Sequence, residues 1–233
     1  MDVDECRLVG VTDDLATVGE VRTLADYVEF RLGSAANPRA QLSSYADDIP
    51  LVLSPRAATE GGETLAFDEV ASMVSVAPPD IVAMVEVPLE DADDEGEVLP
   101  GIRERGVQVL ISSYTNEKTP SKRDLREIIS RCRERGDLVK IVVSVKDEGD
   151  ALVLLECLND ASREGTKIAG YGTGAAGKHT RVISAFYGST LAYAPIRPDD
   201  RSDDIGLKQL ADVLETITNT EGIEHRDGLS GNR

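Results

Sequence analysis

The 233-residue chain has no tryptophan, three cysteines and two histidines, and each scarcity narrows the chemistry open to it. Cys6, Cys132 and Cys157 are odd in number and widely scattered, so they form no metal-ligand cluster and are read as buried thiols. Long apolar runs are also missing. The longest are strand-sized, far short of the roughly 20 residues a membrane span requires. The start, MDVDECRLVG, lacks a basic n-region and a long apolar h-region, so it does not read as a secretory signal and a cytoplasmic protein is expected. Basic residues are few: 25 stand against 43 acidic ones, for a net charge of -18.

A field of that sign opposes binding to nucleic acid or to an anionic membrane surface, so neither is an expected partner. Only seven of the 25 basic residues are lysines. Acidic excess with few lysines resembles the proteins of salt-loving microbes, whose surfaces stay soluble in concentrated salt. A single surface carboxylate therefore says little about function here. A basic group in an apolar setting says more.

What the chain does have is a regular beat. Strand-length apolar runs occur at 6–12, 27–33, 50–56, 81–87, 107–114, 138–145, 166–172 and 189–196. Near-continuous runs rich in β-branched residues are the pattern of buried parallel strands. Helical spacing lies between them, as at 64–77 and 207–218. In 121–136, Ser121 can cap the start, basic residues fill the last turn and Gly136 can close the end. Eight such units in this length point to a (β/α)8 TIM barrel rather than a doubly wound sheet, which usually has five to seven strands. Residues 1–220 are expected to be one domain and 221–233 a polar tail. The acidic stretch 89–97 reads as a solvated loop.

Barrel sites sit at the C-terminal ends of the strands, so polar residues there carry the functional signal. Glu29 and Arg31 are two apart and share a face, as a structural ion pair or as part of a site. Arg56 ends the third strand and Glu86 lies near the end of the fourth. Lys140 sits among Val139, Ile141, Val142 and Val143. Burial would depress its pKa and expose a nucleophilic amine, whereas Glu29 or Glu86 could instead hold it as a charged structural partner. After the seventh strand, residues 172–177 fit G-x-G-x-x-G, and the segment nearly spells a P-loop, with His179 after Lys178 where Ser or Thr should stand. A nucleotide site, a plain glycine-rich turn, or a helix N-terminus and Arg181 receiving an anion are all open readings.

Taken in order, these residues resemble the type I 3-dehydroquinate dehydratases. The E-x-R of that family appears as Glu29-Phe30-Arg31. Its strand-three arginine and E-G-G appear as Arg56 and Glu60-Gly61-Gly62, and its strand-four glutamate as Glu86. Ser113-Tyr114, Thr119-Pro120, Lys140, the run from Gly177 to Arg181, and Tyr187-Gly188-Ser189 complete the series. The resemblance implies a lyase that forms an imine between Lys140 and the C3 ketone of 3-dehydroquinate. Elimination of the C1 hydroxyl then yields 3-dehydroshikimate, in the shikimate route to aromatic amino acids. Arg181 would clamp the substrate carboxylate. Glu29, Arg31, Arg56 and Ser202 would bind substrate, and Glu60 would order the chemistry. No metal or organic cofactor is implied, and a homodimer is.

The chain also departs from the pattern. Thr115 stands where the family carries a histidine acid/base, and threonine cannot carry a proton at neutral pH as imidazole does. The S-A-P-G-Q lid reads Ser202-Asp203-Asp204-Ile205-Gly206, without its glutamine, and Gly33 replaces an acidic residue common two after the arginine. His179, Tyr114 and Glu117 are the local candidates to replace the missing base. Two other outcomes are a related Schiff-base lyase or aldolase with a changed substrate, and a non-catalytic paralogue that keeps the anion clamp.

Overall fold

The computed structural model of the chain describes residues 6–56, 64–92, 98–198 and 204–219. Glu60 and Ser202, with the tail from 220, lie outside the described residues. Eight strands follow the eight apolar runs: β1 (Arg7–Thr12), β2 (Tyr27–Arg31), β3 (Leu51–Ser54), β4 (Val82–Pro88), β5 (Gln108–Thr115), β6 (Leu138–Ser144), β7 (Ile168–Thr173) and β8 (Leu191–Pro195). All pairings are parallel, in the order β7-β6-β5-β4-β3-β2-β1-β8. The remaining seam, β7 against β8, is drawn together by the Ile168–Ser189 bridge and by Thr190 N donating to Ile168 O at 2.7 Å. The result is a nearly closed (β/α)8 barrel, as the count of eight units leads one to expect.

Both faces of each strand are buried, which is why the runs look continuous rather than alternating. Phe30, Leu53, Val85, Val109, Ile141 and Val143 point outward into the layer of helices. Val9, Val52, Met84, Leu110, Leu138 and Leu191 point inward and fill the lumen. The helices are α1 (Pro38–Ser43), α2 (Phe67–Val74), α3 (Val98–Arg103), α4 (Lys122–Arg135), α5 (Glu148–Arg163), α6 (Thr180–Ile183) and α7 (Leu207–Thr218), with a 3₁₀ turn at Leu15–Val21 after β1.

Two helices match the sequence reading closely and one is shorter. In α4, Ser121 Oγ accepts from Asp124 N, and Arg133 and Arg135 occupy the last turn, where they oppose the helix dipole. Gly136 ends α4 for a reason of space. Its φ of -119° suits any residue, but a Cβ there would meet Ile111 Cγ1 at 2.6 Å. The helix expected over 64–77 spans only Phe67–Val74. Pro78 disfavours helical geometry at the residue before it, and Ala66 offers no side chain to cap the start. The acidic stretch 89–97 is solvated only in part, since Leu89 and Ala92 are buried in the outer core and 93–97 lie outside the described residues.

Candidate active site

Four inward residues from the even-numbered strands meet in one barrel layer: Glu29 of β2, Glu86 of β4, Lys140 of β6 and Tyr193 of β8. This is the layer geometry of the fold, in which alternate strands each contribute one side chain. All four are 1% exposed or less. Lys140 Nζ donates to Glu29 Oε2 and, at 3.2 Å, to Glu86 Oε2, and it lies 4.2 Å from the centroid of the Tyr193 ring. Glu29 Oε1 accepts from Arg31 Nε at 3.3 Å, and Glu86 Oε1 faces Arg56 Nε at 3.5 Å. Two buried carboxylates thus sit among three cations.

This arrangement favours the second of the two readings open for Lys140, a charged group held by Glu29 and Glu86. Burial alone pushes the Lys140 amine down, but Glu29 and Glu86 outweigh it and hold the pKa well above the ordinary lysine value. The resting group is an ammonium rather than a ready nucleophile. Burial pushes the Glu86 carboxyl up, yet Lys140 and then Arg56 bring it to about 2. Buried charges of this kind persist only when paired, and each of these lies within 3.5 Å of an opposite charge.

A second tier lies nearer the mouth. The Arg56 guanidinium stacks 3.5 Å above the Tyr114 ring, and the Arg181 guanidinium lies 4.0 Å above Tyr171. Arg181 Nη1 donates to Tyr193 O at 3.1 Å and Nη2 to Asp204 Oδ1 at 3.4 Å. Arg31, Arg181 and Asp204 line a cleft of about 430 Å³ together with Thr12 of β1 and Pro195 of β8. The cleft therefore opens at the C-terminal ends of the strands.

The glycine-rich segment after β7 forms a compact turn. Gly174 adopts a φ of 82°, and a Cβ on Gly177 would meet Thr173 O at 2.5 Å. Two loop amides bond within the loop, Gly177 N and Lys178 N donating to Gly174 O, and Gly172 N of β7 donates to Thr180 Oγ1. α6 is a single turn whose first amides return to the carbonyls of Gly177, Lys178 and His179. Any anion clamp here rests on the Arg181 guanidinium and not on a helix N-terminus.

The structure thus brings together Glu29, Arg31, Arg56, Glu86, Tyr114 and Lys140, with Arg181 across the cleft. Of the candidate replacements for the histidine, Tyr114 belongs to this group, 5.6 Å from Lys140 Nζ measured to its ring. Burial first, then Glu86, pushes its phenol well above the ordinary value. His179 is exposed at the start of α6, and Glu117 is exposed in the loop after β5. Thr115 ends β5, with its Oγ1 buried and without a hydrogen-bond partner. The sequence reading missed Tyr171, Tyr193 and Asp204. The period of two was the available signal for the tyrosines, because Tyr171 follows Ala169 and Tyr193 follows Leu191 on the inward face.

A family model described as type I 3-dehydroquinase matches residues 8–221. The chain belongs to the type I 3-dehydroquinase family. It is 31% identical over 206 residues to a 3-dehydroquinate dehydratase of Haloarcula marismortui, covering 86% of this chain and 90% of that protein. It is also 31% identical to the 3-dehydroquinate dehydratase of Haloquadratum walsbyi, over 94% of this chain and 95% of the relative. Among solved structures, the 3-dehydroquinate dehydratase of Geobacillus kaustophilus superposes with a TM-score of 0.79 at 20% identity, covering 93% of this chain and 92% of the other, a likeness of fold. A type I enzyme from Clostridium difficile with covalently modified comenic acid gives a TM-score of 0.78 at 26% identity, covering 91% of this chain and 92% of the other. The resemblance to this family is thereby borne out.

Proposed function

We propose that the chain dehydrates 3-dehydroquinate to 3-dehydroshikimate through an imine on Lys140. The observation that carries this reading is the buried Glu29–Glu86–Lys140 layer, joined through the Glu29–Arg31 pair to a cleft that Arg31 and Arg181 line. The relatives named above are 3-dehydroquinate dehydratases, and the same reaction here would make the chain a hydro-lyase of the shikimate pathway. The substrate carboxylate would enter the cleft and take Arg181, whose planar fork suits two carboxylate oxygens. Arg31 lines the same cleft and would bind the substrate's polar edge. Arg56, stacked on Tyr114, would hold a ring hydroxyl. That placement brings the C3 ketone toward Lys140 Nζ.

Once the amine adds to the ketone and water leaves, the iminium keeps the positive charge that the ammonium brought. Glu29 and Glu86 then stabilise a cation throughout, with little reorganisation of the buried charges. The iminium withdraws electrons from C2, acidifies its proton, and the enamine expels the C1 hydroxyl. Glu60 and Ser202 would complete the substrate contacts from segments outside the described residues. In this reading the lysine serves as the electron sink, without a metal or organic cofactor. The enzyme would work in the cytoplasm of a salt-adapted cell, as a homodimer, and the net charge of -18 fits a protein that avoids nucleic acid and anionic membranes.

The test is to incubate the protein with 3-dehydroquinate in molar salt and follow the conjugated product in the ultraviolet. Borohydride should trap substrate on Lys140, located by peptide mass. Absence of both product and adduct at high enzyme concentration sinks the reading.

A further inference from the structure

The imine reading leaves one task without an owner, the movement of a proton between Lys140, C2 of the substrate and the departing hydroxyl. We propose that Glu29 is the proton carrier of this site as well as a counter-ion to Lys140. The inference rests on the imine reading and assigns it a further catalytic residue.

Among the described residues, four titratable side chains act most strongly on the Lys140 amine: Glu29, Glu86, Tyr114 and Tyr193. The two phenols are poor bases at neutral pH, since burial pushes both well above their ordinary values. Glu86 is committed as a fixed anion by Lys140 and Arg56. Glu29 is differently placed. Its oxygens divide their work, with Oε1 accepting from Arg31 Nε and Oε2 turned to Lys140 Nζ. Arg31 follows Glu29 on the inward face of β2 and lines the cleft, so this row of side chains leads from the amine to the substrate. One oxygen is anchored while the other faces the reacting nitrogen, the geometry a shuttle requires.

The proton count closes with this one group. Oε2 takes a proton from the ammonium, and the freed amine adds to the C3 ketone. After proton transfer within the adduct, Glu29 returns its proton to the carbinolamine hydroxyl, which leaves as water and forms the iminium. The carboxylate then takes the C2 proton, and the C–H electron pair neutralises the iminium as an enamine. Glu29 protonates the C1 hydroxyl as the enamine electrons expel it, giving a second water and a conjugated iminium. Hydrolysis releases the product and restores the ammonium, with Glu29 ionised as at the start.

The experiment compares the parent, Glu29→Gln and Glu29→Asp in three readouts: steady-state turnover, borohydride trapping, and exchange of the substrate C2 proton in D₂O followed by NMR. The parent should turn over, trap and exchange. Glu29→Gln should lose roughly 10²–10⁴-fold in kcat, the usual worth of a proton carrier, and lose C2 exchange in parallel. Glu29→Asp keeps the charge beside Lys140 and so guards against simple misfolding. It should still trap substrate, with kcat and C2 exchange reduced by the same factor. A parent that neither turns over nor traps defeats the imine reading itself. If the parent works and Glu29→Gln stays within tenfold in kcat, the carrier is another group. The assignment is also overturned if Glu29→Asp slows turnover while C2 exchange continues at the parental rate.

Discussion

Lys140 Nζ and Glu86 Oε2 are 3.2 Å apart, and both side chains are 0% exposed. A lysine can stay charged in such a place because two carboxylates meet it. Removing it should therefore do two separable things. Lys140→Met preserves apolar volume but leaves Glu29 and Glu86 facing each other without a cation between them. Losing one partner of a buried pair costs about 3–5 kcal/mol. We expect a loss of that size in urea unfolding at neutral pH, with abolished borohydride trapping. A variant as stable as the parent would mean that the layer does not hold these charges.

The pH dependence follows from the same contacts. Glu86 has its pKa lowered from 4.5 to about 2, with Lys140 and Arg56 overcoming the penalty of burial. A group depressed in the folded state binds fewer protons there than when unfolded, so its stabilisation is present above the unfolded value. It is lost as pH falls from 4.5 through about 2, and such a shift corresponds to roughly 3 kcal/mol. Lys140, raised above 10.5, contributes stability that persists below its ordinary value and is lost only at strongly alkaline pH. Glu86→Gln should be less stable than the parent at pH 7 and lose less between pH 4.5 and 2. Thermal melts at constant ionic strength check this, and parallel curves would remove Glu86 as the cause.

The eight strands were legible because a buried parallel strand announces itself locally, residue by residue. The lysine was legible for the opposite reason, as a charge where Val139, Ile141 and Val143 set an apolar rule. Its charge state was harder to read. It depends on Glu29 and Glu86, 111 and 54 residues away in sequence, so it is a property of barrel closure. Tyr193 joins the layer in the same way, and its apolar-looking strand gave no hint of a cation above the ring. The resting contact between Arg181 and Asp204 was hidden too, because in an acidic chain one more aspartate carries little information.

That contact leads to a prediction about binding. Asp204 Oδ1 occupies Arg181 Nη2 at 3.4 Å, where a substrate carboxylate would sit, and the Asp204 side chain is 43% exposed. Partly exposed pairs are worth about 0–1 kcal/mol, so the competition is modest. Asp204→Asn should lower KM for 3-dehydroquinate by roughly two- to fivefold with little change in kcat. Arg181→Lys should act the other way, raising KM by about tenfold or more, because an ammonium lacks the planar fork that stacks on Tyr171. A rise in KM for Asp204→Asn would show that the aspartate helps hold substrate instead of competing with it.

Salt should act on the whole molecule through two opposed effects. It weakens favourable surface pairs such as Arg126–Asp160, at 2.5 Å, and Lys122–Asp160, at 3.7 Å. Each is worth at most about 1 kcal/mol when exposed, and the Debye length is already about 10 Å at 0.1 M. It also screens the repulsion among an excess of 18 negative charges, which presses on the folded state from every direction. The second effect involves many more charge pairs and should dominate. We expect the melting temperature to rise between 0.1 and 2 M NaCl by roughly 2–8 °C, the equivalent of about 1–2 kcal/mol for a chain of this size. Most of the gain should arrive below 1 M, since the Debye length has already shrunk to about 3 Å there. A flat or falling melting curve would mean that the acidic surface does not destabilise the fold at low salt, and that its ion pairs carry more weight than their exposure suggests.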